Sequence, residues 1–477
     1  MLSASLYNPL MSSLGISPDE FRRLAIEVTD IATRYLATLD SRPTFHSRGE
    51  ETERLFRTPL SEEGLGAGAL AALGDVVEHV RGQNGRFFGY VLGSGEPVGA
   101  VADLLASVLN QNVTAWRSGP SAVAIEHTVV DWLAQAIGCP GFRGSLTSGG
   151  SLANLMGLAM AREAKAPANK SGVADRCCVV YASEEVHMSI PKSVALVGIG
   201  RENLRLIPAS PDFRLPPAEL ERAIQADQGA GRMPIAVVAS AGTVKTGAID
   251  PLDEIAAIAR RHNLWMHVDG AYGALAAVAV PQKLCGLALA DSISLDPHKW
   301  LFQPLDCGCL LYRDPAAARR AFSHTGDYAR SLSADPIEGF AFFEESIELS
   351  RRFRGLRLWL SLRYHGMAAF REAVQRNLDL AARLAAVVSS HPQFELLAPV
   401  ELSAVCFRHK PARAATDDDL NRLNAGILQR VIERGRVYLS NADVGGKFAL
   451  RACIVNHRTT QADVDSVIPE VLAAVGG

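Results

Sequence analysis

Between about Gly141 and Arg313 the chain repeats one pattern, a short apolar run rich in β-branched residues followed by a stretch with helical spacing. The runs are Cys177 to Ala182, Ile235 to Ser240, Leu264 to Val268, Ser292 to Leu295 and Cys309 to Tyr312. Runs this short and largely apolar suit strands buried on both faces, which a strand achieves when helices cover its sheet on each side. The alternation predicts an α/β fold, a mostly parallel sheet flanked by helices. Ligands in such sheets bind beyond the carboxyl ends of the strands, so the residues just after each run are where chemistry belongs.

Two of those ends carry a complementary pair. Asp269 closes one run and leads into Gly270-Ala271-Tyr272; the next passes through Asp296-Pro297 to His298 and Lys299. Pyridoxal phosphate requires a lysine amine for a Schiff base and a carboxylate beside the ring nitrogen. The carboxylate keeps that nitrogen protonated, so the ring accepts electrons released at the substrate's α carbon. A lysine attacks a carbonyl only when neutral, which partial burial and a cationic His298 beside it would both promote. Lys299 and Asp269 are therefore the candidates for amine and acid.

Three further segments suit the same cofactor. Leu146 to Ser151 opens the helical segment Leu152 to Arg162. Small residues such as Gly150 and Ser151 let backbone N–H groups at a helix start approach a phosphate, where the helix dipole favours an anion. His187, after the run ending at Ala182, is placed to stack on a pyridine ring. Thr243, after the run ending at Ser240, brings a hydroxyl to the same edge.

These motifs together resemble those of the pyridoxal-phosphate-dependent group II amino-acid decarboxylases, which include aromatic-L-amino-acid, histidine and glutamate decarboxylases. The similarity runs from about Ser17 to the C-terminus, through Asp19 to Arg23, Arg86 to Tyr90, Arg351 to Leu356 and Ala449 to Cys453. The resemblance implies a fold-type I enzyme in which Lys299 carries the cofactor, Asp269 pairs with its ring nitrogen, His187 stacks on one ring face and Ala271 lies against the other. It places Gly150, Ser151 and His298 at the phosphate and Thr243 near the ring. It further implies a homodimer with shared active sites, the N-terminal segment packing across the twofold axis. Phe87, Phe88, Tyr90 and Trp116 fall in the segment that lines the substrate pocket in relatives and suit an aromatic side chain. No arginine or lysine is assignable to a distal carboxylate, so glutamate ranks below tyrosine, tryptophan, phenylalanine or dihydroxyphenylalanine, and glutamate or diaminobutyrate stays as the alternative substrate class.

Two positions depart from that family. Asp296 stands where asparagine is common, and a carboxylate beside a phosphate is repelled, so Asp296 is expected to point elsewhere, pair with a cation or be protonated. The family's mobile loop carries a tyrosine that protonates the carbanionic intermediate. The matching stretch here, Gly339 to Glu344, offers phenylalanines instead, leaving Tyr328, His324 or His187 as the acid. In relatives with phenylalanine at the loop position, dioxygen oxidises the intermediate to an aldehyde, which makes oxidative deamination the alternative to amine formation.

The remaining chain divides by periodicity and resemblance into an N-terminal helical segment (1–85), a large cofactor-binding domain (86–365) and a small α+β domain (366–477). Ser17 to Leu39 reads as a helix. A second helix runs from the Thr416 cap to Gly435, with Asp417, Asp418 and Asp419 in its first turn, where negative charge suits the dipole. Val437 to Leu439 and Phe448 to Ile454 read as strands. With 48 basic and 51 acidic residues and a net charge of −3, no basic surface for nucleic acid is expected. Eight cysteines without metal-ligand spacing read as buried thiols, and twelve histidines without an HExxH pattern predict no metal. No uncharged apolar run approaches the ~20 residues that span a bilayer, and no basic residue precedes Arg22, so a soluble cytoplasmic protein is expected.

Overall fold

The computed structural model describes residues 14–46, 49–173, 176–324, 335–412 and 416–476. Its main sheet has seven strands: β1 (Arg143–Thr147), β2 (Cys178–Ser183), β3 (Leu204–Ile207), β4 (Met233–Ser240), β5 (Trp265–Asp269), β6 (Ser292–Leu295) and β7 (Gly308–Tyr312). They lie in the order β1-β7-β6-β5-β4-β2-β3. Every neighbouring pair is parallel except those made by β7, which runs against both β6 and β1. The parallel sheet read from the alternation is present, with one reversed strand inside it. β3 was not among the predicted runs; its interior Arg205 interrupts the apolar pattern at the sheet edge.

β2, β5 and β6 are buried at every position, and the alternate side chains enter two separate cores. Val179, Tyr181, Met266, Val268, Ile293 and Leu295 face one side. Cys178, Val180, Ala182 and Trp265 face the other, against Met156 and Met160 of the helix Gly150–Lys165. That alternation also puts His267 and Asp269 of β5 and Ser292 and Ser294 of β6 on the Trp265 side, with His267 paired to Ser292 and Asp269 to Ser294. A polar patch thus runs beneath the Gly150–Lys165 helix, inside an otherwise apolar layer.

A smaller antiparallel sheet near the C-terminus comprises β8 (Phe394–Leu396), β9 (Ala404–His409), β10 (Ser440–Val444) and β11 (Lys447–Cys453), ordered β10-β11-β9-β8. The helix Asp417–Arg434 covers it, with Thr416 and Asp419 forming a reciprocal capping box and Gly435 left-handed at the C-cap, as the sequence predicts. The strand expected over Val437 to Leu439 begins instead at Ser440. The earlier residues are held by a single bridge, Tyr438 to Phe87.

The helix Gly355–Ser390 passes from one sheet to the other and is broken at Gly366, whose φ of 74° lies outside helical geometry. The helix Pro18–Thr38 starts on the Ser17 cap and buries none of its residues, leaving Phe21, Ile26, Val28 and Leu36 exposed. No helix among the described residues is long and apolar enough to cross a membrane.

Candidate active site

The strand ends gather their residues around one cleft of about 340 Å³. Ser148 to Leu152 arrive from β1, His187 from β2, Gly242 and Val244 from β4, Asp269 and Ala271 from β5, and Asp296, His298 and Lys299 from β6. Seven of the sequence-selected residues therefore meet here: Gly150, Ser151, His187, Asp269, Ala271, His298 and Lys299. Thr243 does not line the cleft. It is buried, its hydroxyl 2.9 Å from that of Thr246 and accepting from the Ala248 N–H, so it is spent on the turn while Gly242 and Val244 reach the opening.

Asp269 is buried at the end of β5 with both oxygens engaged. Oδ2 accepts from Asn154 Nδ2 at 3.0 Å, and Oδ1 accepts from the Ser294 hydroxyl and the Ala271 N–H at 3.2 Å each. His187 takes hydrogen bonds at Nδ1 from the Ser189 hydroxyl, 2.8 Å, and the Ser189 N–H, 3.2 Å. Burial pushes its pKa below the ordinary histidine value.

Lys299 Nζ lies 3.0 Å from Asp296 Oδ2, and His298 Nε2 lies 3.6 Å from the same oxygen. Of the outcomes expected for Asp296, the structure shows pairing with a cation. It also keeps the carboxyl near the glycines: a Cβ on Gly150 would stand 3.0 Å from Oδ2, and 2.6 Å from the Ala271 methyl. The expectation of a cationic His298 is corrected. Burial lowers its pKa, and its Nδ1–H donates to the Cys307 carbonyl at 2.8 Å, so Nε2 is bare in the neutral ring. The cation facing Asp296 is Lys299.

The residues ascribed to substrate do not line the cleft of their own chain. Phe88 is fully buried in the core of the smaller sheet. Phe87 stacks on Tyr438 at 4.7 Å, Tyr90 shares a 3.0 Å hydroxyl contact with Tyr438, and Trp116 Nε1–H donates to Glu338 at 3.2 Å. None of the four lines the cleft, whose apolar lining comes from Val91, Leu152, Tyr272 and Leu305 among others. Nor does the Gly339 to Glu344 stretch behave as a loop over it. Phe342 is buried against His127 and under Arg351, 4.2 Å from the ring centre, in a separate apolar cluster. His324 is exposed, and Tyr328 lies outside the described residues.

Comparison with known proteins gives this geometry a family. The model of the pyridoxal-dependent decarboxylase conserved domain matches residues 71–410. The chain belongs to the pyridoxal-dependent decarboxylases. It is 33% identical to an aromatic-L-amino-acid decarboxylase of Bacillus atrophaeus over 97% of both chains. It is 31% identical to a phenylacetaldehyde synthase of Petunia hybrida, covering 94% of this chain and 93% of that one. The crystal structure of Oryza sativa TDC with PLP and tryptamine superposes with a TM-score of 0.90 at 28% identity, covering 99% of both chains.

This decarboxylase is a fold-type I enzyme whose cofactor is pyridoxal phosphate. The cleft fits that cofactor: a primary amine and an acid enter from adjacent strands, and the helix start between them is bare backbone that a single methyl at Gly150 would obstruct. The sequence reading missed Asn154, Ser189, His267, Ser292 and Ser294. The period-two pattern in Trp265-Met266-His267-Val268-Asp269 and Ser292-Ile293-Ser294-Leu295 was the available signal, since polar residues recurring on one buried strand face must find partners there.

Proposed function

We propose that this decarboxylase removes carbon dioxide from an aromatic L-amino acid and releases the corresponding amine, with Lys299 as the residue that binds the cofactor covalently. The observation that carries the site assignment is the entry of Lys299 and Asp269 into one cleft from neighbouring strands β6 and β5. Bound pyridoxal phosphate supplies the sink for the electron pair left when the α-carboxyl departs. The chain does the rest. Asp269, oriented by three donors, holds a proton on the ring nitrogen. Gly150 and Ser151 offer backbone N–H groups to the phosphate. His187, with Nδ1 occupied by Ser189, lines the cleft, and we assign to it stacking on the cofactor ring.

The aromatic class is supported by the named relatives, the Bacillus aromatic-L-amino-acid decarboxylase foremost, rather than by Phe87, Phe88, Tyr90 or Trp116. The oxidative alternative drew on phenylalanines in the Gly339 to Glu344 stretch. Phe342 is buried in an apolar cluster away from the cleft in this structure, and amine formation is the reading we adopt. A panel of aromatic amino acids with glutamate and diaminobutyrate, assayed together for carbon dioxide, amine, aldehyde and peroxide, tests it. Equimolar carbon dioxide and amine without oxygen uptake are expected from an aromatic substrate, with kcat/KM for glutamate lower by at least about 100-fold. Peroxide equimolar with aldehyde would replace this reading by the oxidative one.

We further propose that the enzyme is a homodimer. The helix Pro18–Thr38 buries nothing within its own chain, and the helix Pro97–Leu109 exposes Val101, Leu104, Leu105 and Val108. Apolar faces of this extent on two helices mark association surfaces. Sedimentation equilibrium is expected to return twice the chain mass, and substituting Leu104 and Leu105 by glutamate to shift it toward one chain; a monomer in the parent protein excludes the dimer.

A further inference from the structure

We propose that Asn154 and His267 are positioning residues that aim Asp269 and His187 together, through a hydrogen-bond chain whose direction is fixed from both ends. The proposal rests on the cofactor-site assignment above.

One end of the chain is the Trp265 indole, which can only donate; its Nε1–H reaches the Ser292 hydroxyl at 2.9 Å. The other end is the Asp269 carboxylate, which can only accept, so the Asn154 atom 3.0 Å from it is the amide nitrogen. The Asn154 carbonyl oxygen must therefore face His267 Nε2, 2.9 Å away, and that nitrogen must carry a proton. His267 Nδ1 is then bare and accepts from Ser292 at 2.8 Å. Each link follows from its neighbours, and no second arrangement satisfies every donor.

The same amide has a second N–H, which donates to Ser189 Oγ at 2.9 Å. Ser189 in turn directs its hydroxyl hydrogen to His187 Nδ1. One side chain thus touches the partner of His187 and the carboxylate of Asp269. His267, Ser292, Asn154 and Ser189 are all buried, so water does not substitute for a lost link. Burial also drives the His267 pKa down to about 4, which keeps the ring in the neutral form that the chain demands. Space for the ring is provided by Gly157: a Cβ there would lie 2.5 Å from His267 Nδ1 and Cε1, closer than any side chain tolerates. The helix thereby gives up a good helix-forming residue in its interior to admit an imidazole.

The experiment uses the holoenzyme. Asn154→Asp keeps shape but turns the donor facing Asp269 into an acceptor. It is expected to lower kcat about 100-fold, with KM changed far less, and to shift the pH midpoint of the bound cofactor's visible band. His267→Phe removes the donor that orients the amide and is expected to cost about tenfold in kcat, with His267→Gln, which retains an N–H, recovering most of it. Variants that bind cofactor, keep the parental pH midpoint and turn over normally would overturn the proposal. If His267→Phe fails to fold, Asn154→Asp, nearly unchanged in volume, decides alone. Nitrogen-15 spectra of histidine-labelled protein need no cofactor: a protonated Nε2 and bare Nδ1 on His267 are expected, and the opposite tautomer would sink the chain. Parent protein that shows this tautomer yet never acquires a visible band with pyridoxal phosphate would instead refute the cofactor-site assignment.

Discussion

Lys299→Ala is expected to leave no adduct that borohydride can trap and to lower decarboxylation by about 10³-fold or more, because Lys299 is the lysine that lines the cleft among the described residues. The cleft brings one lysine to the strand ends, and that amine sits 3.0 Å from Asp296. Removing it also strips a buried carboxylate of its cation, leaving His298 Nε2 at 3.6 Å as its nearest titratable neighbour. Part of any loss in the alanine variant is thus electrostatic. Lys299→Arg separates the two effects, since guanidinium keeps the charge opposite Asp296 but stays protonated and cannot attack a carbonyl. The arginine variant should regain thermal stability relative to alanine while remaining without a trappable adduct. Parental turnover in either variant would show that the catalytic amine is another residue.

Asp269→Ala is expected to retain bound cofactor after dialysis but to lower kcat by about 10²- to 10³-fold, the range associated with losing one preorganised electrostatic contact. The substitution also deprives Asn154, Ser294 and the Ala271 N–H of their shared acceptor, so packing disturbance contributes. Asp269→Asn retains the volume and much of the hydrogen bonding but lacks the charge that holds a proton on a ring nitrogen. A similar loss in both variants locates the effect in that charge. Near-parental turnover in Asp269→Asn would remove the electrostatic role, whatever the alanine variant does.

Much of the architecture was legible because the physical signals are local. Continuous apolar runs placed β2, β4, β5, β6 and β7 within a residue or two, and the Thr416 cap with Gly435 bounded its helix to the residue. The convergence of Asp269 and Lys299 on one cleft was legible because strand ends carried unusual chemistry. Positions that tertiary packing decides were not legible. Thr243 and Gly242 are adjacent, and only the turn's geometry sends the hydroxyl inward toward Thr246. Phe87, Phe88, Tyr90 and Phe342 are apolar enough for a pocket or a core, and the fold commits them outside the cleft. The charge on His298 depended on burial, which a single sequence does not display.

The reversal of β7 means that the cleft is bordered there by a strand's beginning instead of its end. Its first residue, Gly308, presses against the loop proposed to receive the phosphate: a Cβ on it would come within 2.4 Å of the Gly149 Cα. Just ahead of it, the Cys307 carbonyl holds His298 Nδ1. Two neighbouring positions that supply no side chain to the chemistry thus act as a caliper on it. The spacing between the glycine loop and the His298-Lys299 turn is gauged by bare main chain, so the width available to a phosphate is written into a residue that need never touch one.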